Sequence, residues 1–223
     1  MTGENNHEQA AARLERARAL GSTGDARALY RQWAKHYDED VFARLKVTGT
    51  RRIAELLARH LPTGRGSPII DLGCGTGAAG AVLHALGFTT IDGLDLSPEM
   101  LSLAAVRTGY RHLIAADLLK PLPLRDHLYD AAVSAGTFTT GHVGAAALPA
   151  IHRLIRPRGI LACVIAESFH ESGGFAEAIP RFVGEHRLAI LHHTLEPIRE
   201  GGPPEGHMLV MQIGEHRAIG NRQ

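Results

Sequence analysis

The sequence predicts an α/β fold with a doubly wound, mostly parallel sheet of seven strands, an antiparallel closing hairpin and extra helices at the N-terminus. Apolar runs of strand length alternate with helical segments of about ten to fifteen residues, as in parallel sheets with helical crossovers. The last two apolar runs, 188–195 and 208–213, have no helical segment between them. We therefore expect these two runs to pair as a hairpin.

The stretch over residues 69–77 is the most informative part of the chain. An apolar run ends with Asp71, and Gly73, Gly75 and Gly77 follow at alternate positions before a helical segment. Glycines at such a turn let a ligand approach the backbone without meeting a Cβ, and the helix beyond directs free N–H groups at it. With the acid nearby, the turn suits a ligand that carries both a cationic and an anionic group.

The glycine turn alone leaves the ligand open. Gly73, Gly75 and Ala78 also fit the G-x-G-x-x-[GA] fingerprint of dinucleotide-binding proteins. A glycine-rich turn can also be purely structural, with no ligand at all. Residues at the ends of the other predicted strands are needed to distinguish between these alternatives.

The remaining predicted elements continue the alternation. Besides the strand that ends in the glycine turn, the predicted strands cover 88–95, 111–116, 129–134, 160–167, 188–195 and 208–213. The predicted helices cover 8–20, 25–37, 48–61, 78–86, a segment opening at Ser97, 143–155 and 174–185. Ser97 is the predicted N-cap of its helix, with Pro98 at the first helical position. We divide the chain into an N-terminal helical segment, 1–47, and a ligand-binding domain, 48–216.

Composition limits the class of protein. The chain has 223 residues, 24 basic and 23 acidic side chains and a formal net charge of +1, so a dedicated nucleic-acid binder, which usually has a basic excess, is not expected. No apolar run approaches the roughly 18 residues that a membrane span needs. The N-terminus lacks a signal-peptide core, and Cys74 and Cys163 suggest neither a disulfide nor a metal site. We expect a cytoplasmic protein without a metal, a monomer or a homodimer.

Three acids lie at or near successive strand ends: Asp71, Asp95 and Asp117. Ligands of doubly wound sheets bind beyond the carboxyl ends of the strands. Asp95 can accept hydrogen bonds from a ribose 2′,3′-diol, while Asp117 can accept from an exocyclic amine. The backbone N–H of Leu118 can then donate to a ring nitrogen. One acid at a strand end is weak evidence, whereas three at successive strand ends beside a glycine turn form a specific pattern.

The chain resembles the class I S-adenosylmethionine-dependent methyltransferases, over about residues 25 to 215. The resemblance rests on four stretches, which are Asp71-Leu72-Gly73-Cys74-Gly75-Thr76-Gly77, Gly93-Leu94-Asp95-Leu96-Ser97-Pro98-Glu99-Met100-Leu101, Ala116-Asp117-Leu118 and Tyr129-Asp130-Ala131-Ala132-Val133. Two further stretches, 30–38 and 136–143, are similar to a narrower branch, the Williams–Beuren-region methyltransferase-like proteins.

The resemblance implies a Rossmann-like fold and S-adenosylmethionine as the cofactor, with S-adenosylhomocysteine as the product. It implies that Asp71 and the glycine turn hold the methionine amine and carboxylate, that Asp95 holds the ribose, and that Asp117 with Leu118 binds the adenine. The full set of predicted cofactor contacts is Asp71, Gly73, Cys74, Gly75, Gly77, Asp95, Leu96, Asp117, Leu118, Ser134, Tyr30, Trp33 and Tyr37.

The three aromatic residues of that set belong to the N-terminal segment. Tyr30, Trp33 and Tyr37 share one face of the predicted helix 25–37. One interpretation is a lid over the ligand, and the other is a face packed permanently on the main domain. Both interpretations can hold together, because a lid helix also packs.

Methyl transfer from a sulfonium needs a nucleophile held in line, and a base only when the nucleophile carries a proton. His142, in the loop after the fourth strand, is the candidate base, although it could equally cap the following helix. We expect a small-molecule acceptor. The alternatives are a protein side-chain methyltransferase, an NAD-dependent oxidoreductase, and a binding protein without turnover.

Overall fold

A computed structural model describes residues 2–18, 23–107 and 109–214. One mixed sheet has the strand order β3-β2-β1-β4-β5-β7-β6. Its strands are β1 (Ile69–Leu72), β2 (Ile91–Asp95), β3 (Tyr110–Ala115), β4 (Tyr129–Phe138), β5 (Ile155–Ala166), β6 (Ala189–Pro197) and β7 (Pro204–Gln212). The α-helices are α1 (Thr2–Arg18), α2 (Thr23–Asp38), α3 (Gly49–His60), α4 (Ala78–Ala85), α5 (Pro98–Ala104), α6 (Leu148–Leu154), α7 (Glu167–His170) and α8 (Phe175–His186).

The sheet has the predicted topology. β1 pairs in parallel with both β2 and β4, so the order of the strands reverses beside β1. β7 pairs antiparallel with β5 on one side and with β6 on the other. The prediction of a doubly wound, mostly parallel sheet with an antiparallel closing hairpin is confirmed.

Two apolar clusters cover the sheet. One cluster joins α3 and α4 to the strands and includes Ile53, Leu57 and Leu83, all essentially inaccessible to solvent. The other joins α6 and α8 to the strands and includes Ile151 and Phe175. Helices on both sheet faces leave the carboxyl ends of the parallel strands as the place for a site.

Several element boundaries differ from the prediction. The first helix begins at Thr2 rather than Glu8, and β4 continues to Phe138 rather than ending at Ser134. The predicted helix 143–155 is divided into a 3-10 turn, Ala145–Ala147, and α6. Pro149 explains the late start, because proline lacks an N–H and is tolerated only in the first turn of a helix.

The N-terminal segment folds back on itself before it reaches α3. A π-helical stretch, Glu39–Arg44, follows α2 directly, and a cluster of Ala17, Trp33 and Val41 joins α1, α2 and that stretch. Within the described ranges, no helix is long and apolar enough to cross a membrane.

Candidate active site

A cavity opens at the carboxyl ends of β1, β2 and β4, with about 760 Å³ of empty space including its mouth. We call it the first cavity. The structure brings six of the predicted cofactor residues to its wall from separate strand ends: Gly73, Gly75, Asp95, Leu96, Asp117 and Leu118. Tyr37, from α2, also lines it.

Gly73 and Gly75 both adopt left-handed backbone conformations, with φ of +68° and +53°. A Cβ at Gly73 would lie 2.0 Å from the Thr137 hydroxyl oxygen, whereas a Cβ at Gly75 would meet nothing within 4 Å. Gly73 is therefore required by the packing of the protein itself. Gly75 leaves open space, which a ligand could use to approach the backbone.

Asp95 closes β2 and faces the first cavity. Its carboxylate accepts hydrogen bonds from the backbone N–H groups of Gly75 and Ser97, each at 2.8 Å. Burial raises the pKa of Asp95, and the hydrogen bonds from Ser97 and Gly75 oppose that shift. These bonds fix the carboxylate between the glycine turn and the start of α5, where the predicted N-cap Ser97 accepts from Met100 N at 3.2 Å.

Asp117 and Leu118 follow β3 on the same wall. The Asp117 carboxylate accepts from Leu119 N at 2.9 Å, and Leu118 is buried. Both residues line the first cavity, Asp117 with a charged acceptor and Leu118 with an apolar side chain.

Asp71 occupies a different place from Asp95. It is 1% exposed, and its carboxylate accepts a hydrogen bond from the Tyr110 hydroxyl at 2.6 Å. Burial raises the pKa of Asp71 to about 7, against the lowering effect of that bond. Asp71 lines a small recess together with Cys74, beside the first cavity rather than in it. No local sequence pattern identifies Tyr110 as the hydrogen-bond partner of Asp71.

Two other predicted cofactor contacts, Ser134 and Gly77, have roles in the fold itself. Ser134 is fully buried, and its hydroxyl donates to the Leu72 carbonyl at 2.9 Å, so it holds β4 against β1. Gly77 is the N-cap residue of α4. The predicted fourth strand ends at Ser134, but β4 continues to Phe138, and the Ser134 side chain bonds to the neighbouring strand.

The three N-terminal aromatic residues separate in the structure. Tyr37 lines the first cavity. Trp33 is 3% exposed, and its Nε1 donates to the buried carboxylate of Asp40 at 2.7 Å, so the structure does not bring it to the cavity wall. The side chain of Tyr30 lies outside the described part of the chain.

Asp38, at the end of α2, ties the N-terminal segment to the glycine turn. Its carboxylate accepts from the Thr76 hydroxyl at 2.6 Å and pairs with Arg107. A second ion pair joins Arg31 to Glu99 at 3.0 Å. These contacts hold α2 over the carboxyl edge of the sheet.

A second cavity, with about 810 Å³ of empty space including its mouth, adjoins the first. Four residues line both cavities: Tyr37, Ala135, Gly136 and His142. The rest of its wall is mostly apolar and comes from distant parts of the chain, namely Leu14, Ala17, Val41, Val47, Gly49, Thr50, Phe138, Thr139, Val164, Ala166, Ile198 and Arg199.

His142 lies at the junction of the two cavities. Its Nδ1 is 3.0 Å from the Thr140 carbonyl oxygen. A carbonyl only accepts, so Nδ1 carries the proton and Nε2 is the basic nitrogen of the neutral ring. Burial lowers the pKa of His142, which keeps the ring neutral near pH 7. Such an imidazole can accept a proton.

The chain matches a family model described as a methyltransferase domain over residues 70–163. It is 30% identical over 200 residues to methyltransferase-like protein 27 of Homo sapiens, covering 87% of this chain and 74% of that protein. The chain belongs to the class I S-adenosylmethionine-dependent methyltransferases. The cofactor of this methyltransferase is S-adenosylmethionine.

Other relatives match the methyltransferase over shorter stretches. It is 35% identical over 85 residues to the 18S rRNA (guanine-N(7))-methyltransferase of Mus musculus, 38% of this chain and 29% of that protein. It covers 44% to 55% of the length of malonyl-[acyl-carrier protein] O-methyltransferases from four bacteria. A crystal structure of magnesium protoporphyrin IX methyltransferase from Synechocystis PCC 6803 shares its fold, with a TM-score of 0.62 and 16% identity over 88% of this chain and 99% of that one.

The first cavity of the methyltransferase fits this cofactor chemically. Asp95 offers a fixed carboxylate for ribose hydroxyls, and the space over Gly75 admits a ligand to the backbone. Leu96, Met100 and Leu118 supply apolar walls for a flat base.

Proposed function

We propose that this methyltransferase binds S-adenosylmethionine in the first cavity and methylates a small molecule held in the second. The observation that carries the proposal is the shared wall: Tyr37, Ala135, Gly136 and His142 line both cavities. Because these four residues border both cavities, a cofactor in the first cavity and an acceptor in the second would lie next to each other. Within the first cavity we assign the ribose to Asp95 and the adenine to Asp117 with Leu118.

The cofactor supplies an electrophilic methyl group on a sulfonium and leaves as the neutral thioether S-adenosylhomocysteine. The protein has to hold the acceptor in line with the bond that breaks, which is the task of the second cavity. His142 Nε2 takes the proton that the acceptor loses, and passes it to solvent. Tyr37 stays a neutral phenol, because burial, with Asp95 and Asp38 nearby, raises its pKa to about 12.

The lining of the second cavity supports a small acceptor. Leu14, Ala17 and Val41 close one side of it, so the N-terminal segment 1–47 acts as a lid over the domain 48–216. Thr50 and Thr139 offer hydroxyls in an otherwise mostly apolar wall.

Ribosomal RNA is the acceptor named for one group of relatives, but they align with less than half of this chain. A formal net charge of +1 also provides little general attraction for phosphates. We therefore keep the small-molecule assignment, without a nucleic-acid partner, in a cytoplasmic monomer or homodimer.

The proposal is tested by measuring S-adenosylhomocysteine release with a panel of small carboxylates, phenols, amines and thiols, beside RNA and acyl-carrier-protein acceptors. We expect turnover with one small-molecule class. Of the two cavities, Thr139 lines only the second, so Thr139→Trp should lower that turnover at least about fivefold, because overfilling a packed site costs about 1–3 kcal/mol. Cofactor affinity should stay unchanged, and Thr139→Ser is the control.

Turnover with RNA or protein acceptors alone would contradict the proposal. Native mass spectrometry of the purified protein would support the cofactor assignment independently of any acceptor if it detects retained S-adenosylmethionine or S-adenosylhomocysteine. His142→Gln should lower turnover more than it lowers cofactor affinity, because the ring lines both cavities. If His142→Gln retains full turnover, the assigned base is wrong.

A further inference from the structure

Three histidines from three different elements meet on the hairpin side of the sheet, outside both cavities. They are His170 of α7, His193 of β6 and His207 of β7. One ring nitrogen of each lies within 4.8 Å of the others. The rings of His170 and His207 stack with their centroids 4.1 Å apart. We call these residues the histidine cluster.

The pairing of β6 with β7 explains why two of the rings meet. His193 is opposite Leu209, and Leu195 is opposite His207, so the two histidines are diagonal neighbours on one face of the antiparallel pair. α7 begins immediately after β5, the strand that pairs with β7 on its other side, and it brings His170 over the same face.

The spacing of two ring nitrogens matches that of metal ligands. His193 Nε2 lies 3.2 Å from His207 Nδ1. Two nitrogens bound to one tetrahedral zinc, each at about 2.0–2.1 Å, lie about 3.3 Å from each other. The pair therefore needs little movement to share a metal ion.

Glu167 fixes the orientation of His207. Its carboxylate contacts His207 Nε2, so that nitrogen carries the proton and the lone pair of Nδ1 points toward His193. A carboxylate behind a metal-binding histidine is the usual arrangement in protein zinc sites. Glu167 and His170 lie three positions apart, which places both on one side of α7.

We propose that the histidine cluster binds one Zn²⁺ ion through His170, His193 and His207, with Glu167 as a positioning residue for His207. Imidazole ligands favour zinc and its neighbours in the transition series, whereas Mg²⁺ and Ca²⁺ prefer oxygen ligands. His193 is exposed, so the ion can enter from solvent. The fourth position of the tetrahedron would hold water.

The position suggests what the ion does. Ala166, directly before α7, and Ile198 and Arg199, directly after β6, line the second cavity. A metal ion that joins α7 to β6 and β7 would therefore fix two segments that border this cavity, one before α7 and one after β6. The ion has a structural role in this proposal, since none of its ligands lines either cavity.

The proposal is tested on the full chain, freed of any affinity tag, by titrating Zn²⁺ against a chromogenic chelator. We expect one Zn²⁺ per chain and no competition from Mg²⁺. Co²⁺ in its place should give the visible absorption of a tetrahedral site. Glu167→Gln should weaken binding roughly 10–100-fold, as for other outer partners, and His193→Gln should weaken it at least as much.

His112→Gln is the matched control, because His112 is also an exposed strand histidine but lies on β3, at the opposite edge of the sheet. It should bind Zn²⁺ like the wild type. Since His193 is exposed, His193→Gln should keep the circular dichroism of the folded protein. Binding that survives unchanged in His193→Gln, or the absence of a one-to-one complex, would overturn the proposal. The readout needs no methyl acceptor.

Discussion

The two cavities are built in different ways, although they share a wall. The first is lined by successive strand ends and the turns after them, so most of its residues belong to short motifs. The second is lined by α1, the π-helical stretch, the end of β5 and the loop after β6. The first cavity is therefore fixed largely by local sequence, whereas the shape of the second cavity depends on packing between distant segments.

Asp71 and Asp95 are two carboxylates near the ends of neighbouring strands, and they have different surroundings. Asp95 faces the first cavity with two backbone donors, whereas Asp71 is enclosed under it with Tyr110. Acids near two neighbouring strand ends thus lie in different places, one at the wall of the first cavity and one inside the protein.

The largest effect is expected from removing the buried charge beneath the first cavity. The pKa of Asp71 is about 7 in the folded protein, against 3.8 normally. The folded state therefore binds more protons between these values, and the wild type loses stability as pH rises from about 4 to 7, by up to about 4 kcal/mol. Asp71→Asn should reduce that slope in urea unfolding of the cofactor-free protein, and the raised pKa of Asp95 should account for part of what remains.

The control for Asp71 is Asp126→Asn, which removes an exposed carboxylate, 60% accessible and paired with Arg153. The free energy of unfolding of Asp126→Asn should depend on pH in the same way as that of the wild type. An Asp71→Asn variant with the full wild-type slope would show that another group carries the titration.

The second-largest effect is on the free energy of unfolding, and it should differ between two glycines of the turn, Gly73 and Gly75. Gly73→Ala would place a Cβ 2.0 Å from the Thr137 hydroxyl oxygen in a left-handed conformation, so we expect a loss of about 3 kcal/mol of unfolding free energy. Gly75→Ala meets only the conformational cost, about 1–2 kcal/mol. Equal losses in denaturant titrations would contradict this division of roles.

A smaller effect is expected at Asp95. Hydrogen bonds from ribose hydroxyls to a carboxylate contribute about 1.5–3 kcal/mol each, so Asp95→Ala should weaken S-adenosylhomocysteine binding at least about tenfold. Calorimetry measures this directly, and Glu99→Ala, at the start of the adjacent α5, is the control. An unchanged dissociation constant would remove Asp95 from the cofactor site.

The smallest effect concerns the contact between the N-terminal segment and the turn. Asp38 is 39% exposed, and it links Thr76 and Arg107, so Asp38→Ala should cost only about 1 kcal/mol. Hydrogen exchange should rise in 29–44, while cofactor affinity changes little. Glu39→Ala, which pairs with Arg44 inside the same segment, should leave that exchange unchanged.

The buried Trp33 offers one further measurement on the lid. Its emission should report whether cofactor binding moves the N-terminal segment, because it is the only tryptophan of the chain. The Trp33–Asp40 hydrogen bond predicts a modest change rather than transfer to solvent. An emission maximum that is shifted to that of exposed tryptophan would mean that the segment detaches.

The sequence by itself determined the seven strands, the closing hairpin, the Ser97 cap and the motif residues of the first cavity. These features depend on hydrophobic periodicity, turn residues and caps, all of which act within a few positions along the chain. Gly75, Asp95 and Asp117 lie at strand ends, so the parallel order of the sheet was enough to bring them together.

Only the tertiary structure decided which way the other side chains face. Ser134 bonds to β1, Asp71 to Tyr110 and Trp33 to Asp40, each through a partner that no local pattern marks. The second cavity and the histidine cluster combine segments far apart in sequence. Their residues meet because whole helices and strands pack to bury apolar surface, and the sequence motifs do not encode that packing one residue at a time.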